Sequence, residues 1–206
     1  MNSRINQISG IVLQLLSSGD RYWRLCLFTA DHGLQAALLR KSAKSGAQGQ
    51  PDLFDDLDCS LSYSSKGGEI GFIKEWRVLS KRSYLGQDHR VFLAASEMAL
   101  LFLENARHLL EPKPFYDLLL KCLNALQSGH PTVVKIKTLF VFAETEGLPV
   151  RQAWLPELSD SLKDQTKLIL STPTSDLVEL PDSSHEILKS LSLWLNSETE
   201  IKCSIP

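Results

Sequence analysis

The sequence predicts an α+β chain in which a small antiparallel β-barrel precedes an all-helical domain. Three observations carry that expectation. Residues 8–44 hold three β-rich runs separated only by Ser17-Ser18-Gly19-Asp20 and Ala30-Asp31-His32-Gly33, short turns of the kind that join hairpins. Further on, Leu57, Cys59, Leu61 and Tyr63 alternate with Asp58, Ser60, Ser62 and Ser64, a period of two that makes one face apolar and the other wet. Near residue 85 the apolar spacing changes from two to that of a helix.

The first three strands are expected at 8–16, 21–29 and 34–41. The polar stretch 42–52, rich in Gly, Ser, Gln and Pro, reads as irregular backbone. Strand four follows, and Lys66-Gly67-Gly68-Glu69 supplies a hairpin turn. Strand five is expected from Ile70 to Leu79, with Ile70, Phe72, Trp76 and Val78 on one side. Five short strands in ~80 residues fit an OB-fold, the commonest five-stranded barrel, although an SH3-like barrel or a small sandwich has a similar count. After a junction at 80–88, Phe92, Leu93, Ala95, Ala99, Leu100, Leu103 and Leu110 recur at helical spacing, and Glu111-Pro112-Lys113-Pro114 stops that helix. A second helix is expected over 114–127 with Gly129 beyond its end, and a third over 132–145 before Gly147 and Pro149. Two more are expected at 155–170 and 182–196, the latter opening on the cap-rich Asp182-Ser183-Ser184. The domains are then 1–82 and 83–206.

Composition narrows the class. With 43% hydrophobic and 22% charged residues the chain is ordinary for a soluble globular protein. No apolar run approaches the ~20 residues that cross a bilayer, and MNSRINQISG is no secretory signal. Cys26, Cys59, Cys122 and Cys203 stand far apart without a C-x-x-C, which favours reduced thiols in a cytoplasmic protein. That spacing also argues against structural zinc, and no cofactor is expected. Net charge is −2 but uneven: residues 1–86 hold 11 Lys/Arg against 8 Asp/Glu, and residues 87–206 hold 11 against 16. A basic first module and an acidic second one suggest different partners. The five histidines are scattered, and no nucleophile elbow, metalloprotease or phosphate-loop pattern occurs. Gly67, Gly68 and Gly71 belong to a strand turn and open no helix, so they make no phosphate cradle. No enzyme is expected.

The order of motifs resembles the RecO family of bacterial recombination mediators. Gly10-Ile11-Val12-Leu13, Gly19-Asp20 and Leu27-Phe28-Thr29-Ala30-Asp31-His32-Gly33, closing on Arg40, follow that family's opening. Glu111-Pro112, then Phe115-Tyr116-Asp117-Leu118-Leu119-Leu120, then Glu146-Gly147-Leu148-Pro149 follow its helical part. The match runs over about 10–150. The chain departs from the family at Tyr22-Trp23, at Ala30, and in lacking a zinc cluster after Pro149. The resemblance implies an OB-fold joined to a helical domain. It implies a protein of DNA repair and recombination after DNA damage, which binds and anneals single- and double-stranded DNA and helps load recombinase. Its partners would be a RecR-type mediator and the acidic C-terminal tail of single-strand DNA-binding protein. The competing readings are a protein-interaction adaptor that has lost useful DNA binding, and an OB-containing RNA-binding factor.

The expected nucleic-acid site is the barrel's basic set with interleaved aromatics, since such barrels pair a cationic groove with stacking platforms. Its residues are Arg21, Arg24, Arg40, Lys41, Lys44 and Lys66, with Tyr22 and Trp23. Lys74, Arg77, Lys81 and Arg82 belong to the same stretch of chain. Trp23 reads as either platform or core, and Trp76 as core. By resemblance, the helical domain would hold the tail pocket, with Arg107, Lys121, Lys135 and Lys137 as its available cations.

Overall fold

A computed structural model describes residues 5–41, 50–63, 70–177 and 182–205. Five strands, β1 (Ile5–Ser18), β2 (Tyr22–Thr29), β3 (Gly33–Arg40), β4 (Asp56–Ser62) and β5 (Gly71–Ser80), close into a barrel in the order β1-β2-β3-β5-β4. The first three form a meander, and β4 returns to pair beside β1, which is Greek-key connectivity. All pairs are antiparallel except β3 with β5, the parallel contact that closes the barrel. Gly19 and Gly33 take positive φ in the two tight turns, a conformation that glycine adopts without a Cβ penalty. Thr29 reinforces the second turn, its Oγ1 donating to the Gly33 carbonyl at 3.0 Å and accepting the His32 N–H at 3.1 Å.

Inward residues from every strand fill the barrel: Val12, Leu25, Leu27, Ala37, Leu39, Leu57, Leu61 and Ile73 are buried together, with Trp23, Trp76 and Val78 packed against them. Three register shifts set the phase of this pattern, at Leu13 in β1 and at Lys74 and Leu79 in β5. In β5 the register slips between the Ser60 and Leu61 partners, so Ile73 and Trp76 both face the core and Lys74 is the extra residue. The unbroken alternation expected from Ile70 to Val78 is therefore corrected: Phe72 lies outside, 37% exposed.

Contacts divide the described chain into two units, Met1–Ser83 with Ala106–Tyr116, and Tyr84–Asn105 with Asp117–Pro206. The sequence placed a single boundary at 82/83, whereas the segment after the first helix belongs with the barrel. There the Phe28 ring meets Tyr116 at 6.3 Å, and Pro112 lies against Gly33. Phe28 and its register partner Ile11, both outside the barrel core, are fully buried.

The helices are α1 (His89–Asn105), α2 (Pro112–Ala125), α3 (Pro131–Thr145), α4 (Val150–Ala153), α5 (Asp160–Ser171) and α6 (Ser184–Glu198). Helix α3 is buried around most of its circumference, as its run of apolar residues requires, and packs against α1, α4, α5 and α6. The single helix expected at 155–170 is instead a 3-10 turn at Leu155–Glu157 followed by α5, and the short α4 before them falls outside every expected helix. Ser159 starts α5 by accepting the Leu162 N–H with its hydroxyl.

Candidate nucleic-acid interface

Strand alternation sorts β2 into two sets. Trp23, Leu25 and Leu27 point into the barrel, while Tyr22, Arg24 and Cys26 point out. Across the hairpin, Tyr22 pairs with Arg40 and Arg24 with Leu38, and Leu38 pairs in turn with Phe72 of β5. The Tyr22 and Phe72 rings meet edge to face, with centroids 6.0 Å apart and planes at 73°. An aromatic pair, Phe72 exposed and Tyr22 half-buried, thus lies on the outer face of β2, β3 and β5, with the exposed Arg24 and Arg40 on the same face and Arg21 just before β2. Among the described residues none of these three arginines forms an ion pair.

Trp23 is the exception among the expected aromatics. It packs on the barrel core and its Nε1 is buried without a hydrogen-bond acceptor among the described residues, so it closes the barrel rather than offering a face to a base. Lys41 spans the first turn: its ammonium donates to Ser17 Oγ at 2.6 Å and to the Gly19 carbonyl at 2.8 Å, 4.6 Å from the Trp23 ring centroid. Lys44 and Lys66 lie outside the described residues. Two further cations of the barrel do structural work. Arg77 reaches Asp58 at 3.6 Å, and the buried Arg82 forks onto Asp56 at 2.9 and 3.0 Å while donating to the Phe54 carbonyl at 2.6 Å.

Arg107, expected among the cations of the helical domain, belongs to the barrel unit. Burial raises the pKa of the Cys26 thiol, and the charges of Arg107 and then Arg24 oppose that rise. Arg107 is therefore an exposed cation of the barrel unit whose charge is felt at Cys26, on the outer face of β2. The sequence held no signal for this, because Arg107 stands 83 positions after Arg24.

In the helical unit the expected cations do not converge. Lys121 is exposed on α2, and Lys137 donates to the Thr172 carbonyl, where burial lowers its pKa. Lys135 pairs with Glu97 at 2.7 Å. It also lines a pocket of about 270 Å³ with Arg90, Leu93, Ala94, His130 and His185, where the first turns of α1, α3 and α6 meet. His130 caps α3, its Nδ1 accepting the Thr132 N–H at 3.3 Å. Burial, then the charges of Arg90 and His185, hold its imidazole below the usual range. Arg90, His130 and His185 escaped the sequence reading, since only packing brings three helix starts together.

No helix among the described residues is long and apolar enough to cross a membrane. No protein-family model matches the sequence, and no curated protein matches it. Among solved structures, the asparaginyl-tRNA synthetase of Entamoeba histolytica in complex with asparaginyl-adenylate is similar at 10% identity and a TM-score of 0.30. The match covers 71% of this chain and 34% of the synthetase, and a score that low assigns neither fold nor function.

Proposed function

We propose that the barrel is an OB-type module that binds single-stranded DNA on the outer face of β2, β3 and β5, in a RecO-like recombination mediator. The observation that carries this is the outward-facing Tyr22–Phe72 pair, half-buried and exposed respectively, with Arg24 and Arg40 on the same face. Strand-two and strand-three faces, with the β1–β2 and β4–β5 loops, are where OB barrels hold oligonucleotides. Arg21 sits in the first of those loops, and rings beside guanidiniums combine base stacking with phosphate attraction. The wider role in DNA repair rests on the family resemblance: binding and annealing DNA and loading recombinase with a RecR-type mediator. The pocket of Arg90, Lys135 and Leu93 is the best-suited site for the acidic, apolar-ended tail of single-strand DNA-binding protein, because it joins cations to apolar walls.

Arg21, Arg24, Arg40 and Arg107 are the cations offered to phosphates, so affinity should be modest. Titrating a labelled single strand at several salt concentrations should give a log–log slope of about −2 to −3, at about 0.7 per phosphate contact. Arg24→Ala with Arg40→Ala should flatten the slope by about 1.4. A duplex and an RNA of equal length set the preference. Absence of salt-sensitive binding at low ionic strength would leave the adaptor reading, which is favoured by the engagement of Lys41, Arg77 and Arg82 within the protein.

A further inference from the structure

The helical unit carries a second, larger concavity whose chemistry is opposite to that of the barrel face. It encloses about 630 Å³ between the chain from Leu148 to Leu158 and the C-terminal half of α6. Volumes of this size accommodate one or two side chains of a partner or a small ligand. Its walls include Trp154, Leu158, Leu193 and Trp194, and its acids are Glu157 and Glu198. No Lys, Arg or His lines it.

Three features make the groove electronegative. Glu157 and Glu198 are exposed, and among the described residues neither carboxylate has an ion-pair or hydrogen-bond partner. Helix α6 ends there with no basic residue in its last turn, so the negative end of its dipole is uncompensated. The nearby Arg151 is occupied elsewhere, paired with Glu144 and 4.9 Å from the Phe140 ring centroid. The walls add cation affinity of another kind. Trp194 is half-buried and supplies the ring face, Leu193 is 45% exposed, and Trp154, 2% exposed, is a buried support fixed by its Nε1 donating to Ser190 Oγ at 3.1 Å. Indole faces attract guanidinium and ammonium groups, more so when water is displaced.

We propose that this groove docks a basic segment of a partner protein, taking an arginine or lysine against Trp194 and the two carboxylates, and an apolar neighbour on Leu193. The charge complementarity names the occupant. A nucleic acid strand would meet two unpaired carboxylates in a unit that carries 9 Lys/Arg against 15 Asp/Glu, a net of −6. The inference stands apart from the DNA-binding reading and shares no residue with it.

The test uses the full chain and a labelled heptapeptide, acetyl-Gly-Leu-Arg-Leu-Arg-Leu-Gly-amide, followed by anisotropy and by tryptophan fluorescence. The peptide should bind with an affinity that falls as salt rises. Glu157→Gln combined with Glu198→Gln should weaken it at least tenfold, with an unchanged thermal midpoint showing that the fold is intact. Trp194→Phe should weaken it less and remove most of the fluorescence response. Equal affinity for the double variant, or equal binding of the peptide with both arginines replaced by glutamine, would overturn the proposal. So would absence of binding. Arginine amide binding as tightly as the peptide would make this a small-cation site instead. A fall in oligomeric state on the double substitution would make the occupant a second copy of this chain.

Discussion

Arg24 and Arg82 carry the same charge, yet one faces water on β2 and the other is 5% exposed and forked onto Asp56. Removing a buried partner strands the other charge, so Arg82→Met should lower the unfolding free energy by about 3 kcal/mol in urea titrations. It should also release Phe54, a non-glycine residue held at φ 69° with its carbonyl on that guanidinium. Arg24→Ala should move stability by no more than about 0.5 kcal/mol. The aromatics divide in the same way. Tyr22→Ala and Phe72→Ala should each weaken single-strand binding by about 1–3 kcal/mol if bases stack there, whereas Trp23→Ala should cost about 3–5 kcal/mol of stability through the cavity it leaves. His130 adds a pH term of definite sign. In the unfolded chain it takes a proton near 6.5, and in the fold only at lower pH, where protonation opposes its role as a cap acceptor. The neutral cap's contribution is thus complete above 6.5 and lost as pH falls through the folded value. His130→Asn, which can also cap, should flatten the decline of urea midpoints between about pH 7.5 and 5.

At the level of elements, β1 is the strand on which the barrel turns. Its first half pairs with β4 and its second with β2, and Gly10 pairs with both Leu57 and Thr29. A Cβ there would lie 2.7 Å from the Phe28 carbonyl oxygen, a backbone atom that cannot step aside. Gly10→Ala should therefore destabilise by about 1–3 kcal/mol, read by the same urea titration. The existence and order of strands and helices were legible in the sequence, because periods of two and 3.6 and the stops at Gly and Pro act over a few residues. The β5 bulge was not. Phe72, Trp76 and Val78 fit one alternating face, and only pairing with β4 decides that Lys74 is the extra residue and sends Phe72 outward. That slip creates half of the aromatic pair on the candidate interface, so the site was less legible than the strand that carries it.

On the scale of the molecule, the barrel unit is discontinuous in sequence and holds 13 Lys/Arg against 9 Asp/Glu, a net of +4, beside the −6 of the helical unit. A fragment ending at Ser83 lacks Tyr116 and so uncovers Phe28. It should bind a hydrophobic dye and melt earlier than the barrel does in the full chain. Burial raises all four thiol pKa values, those of Cys59 and Cys122 to about 12. These two should resist a thiolate-directed reagent at neutral pH until denaturant is added. By itself the sequence determined the α+β order, the turn glycines, the separation of positive from negative halves and the basic character of the β2–β3 hairpin. These follow from forces between near neighbours along the chain. Tertiary structure alone decided which groups meet: Arg107 with the surroundings of Cys26 on β2, Lys135 with Glu97, Lys137 with the Thr172 carbonyl, and Glu157 and Glu198 across one groove. Partners dozens of residues apart leave no local pattern, and their encounter depends on how helices pack and where a bulge shifts a strand.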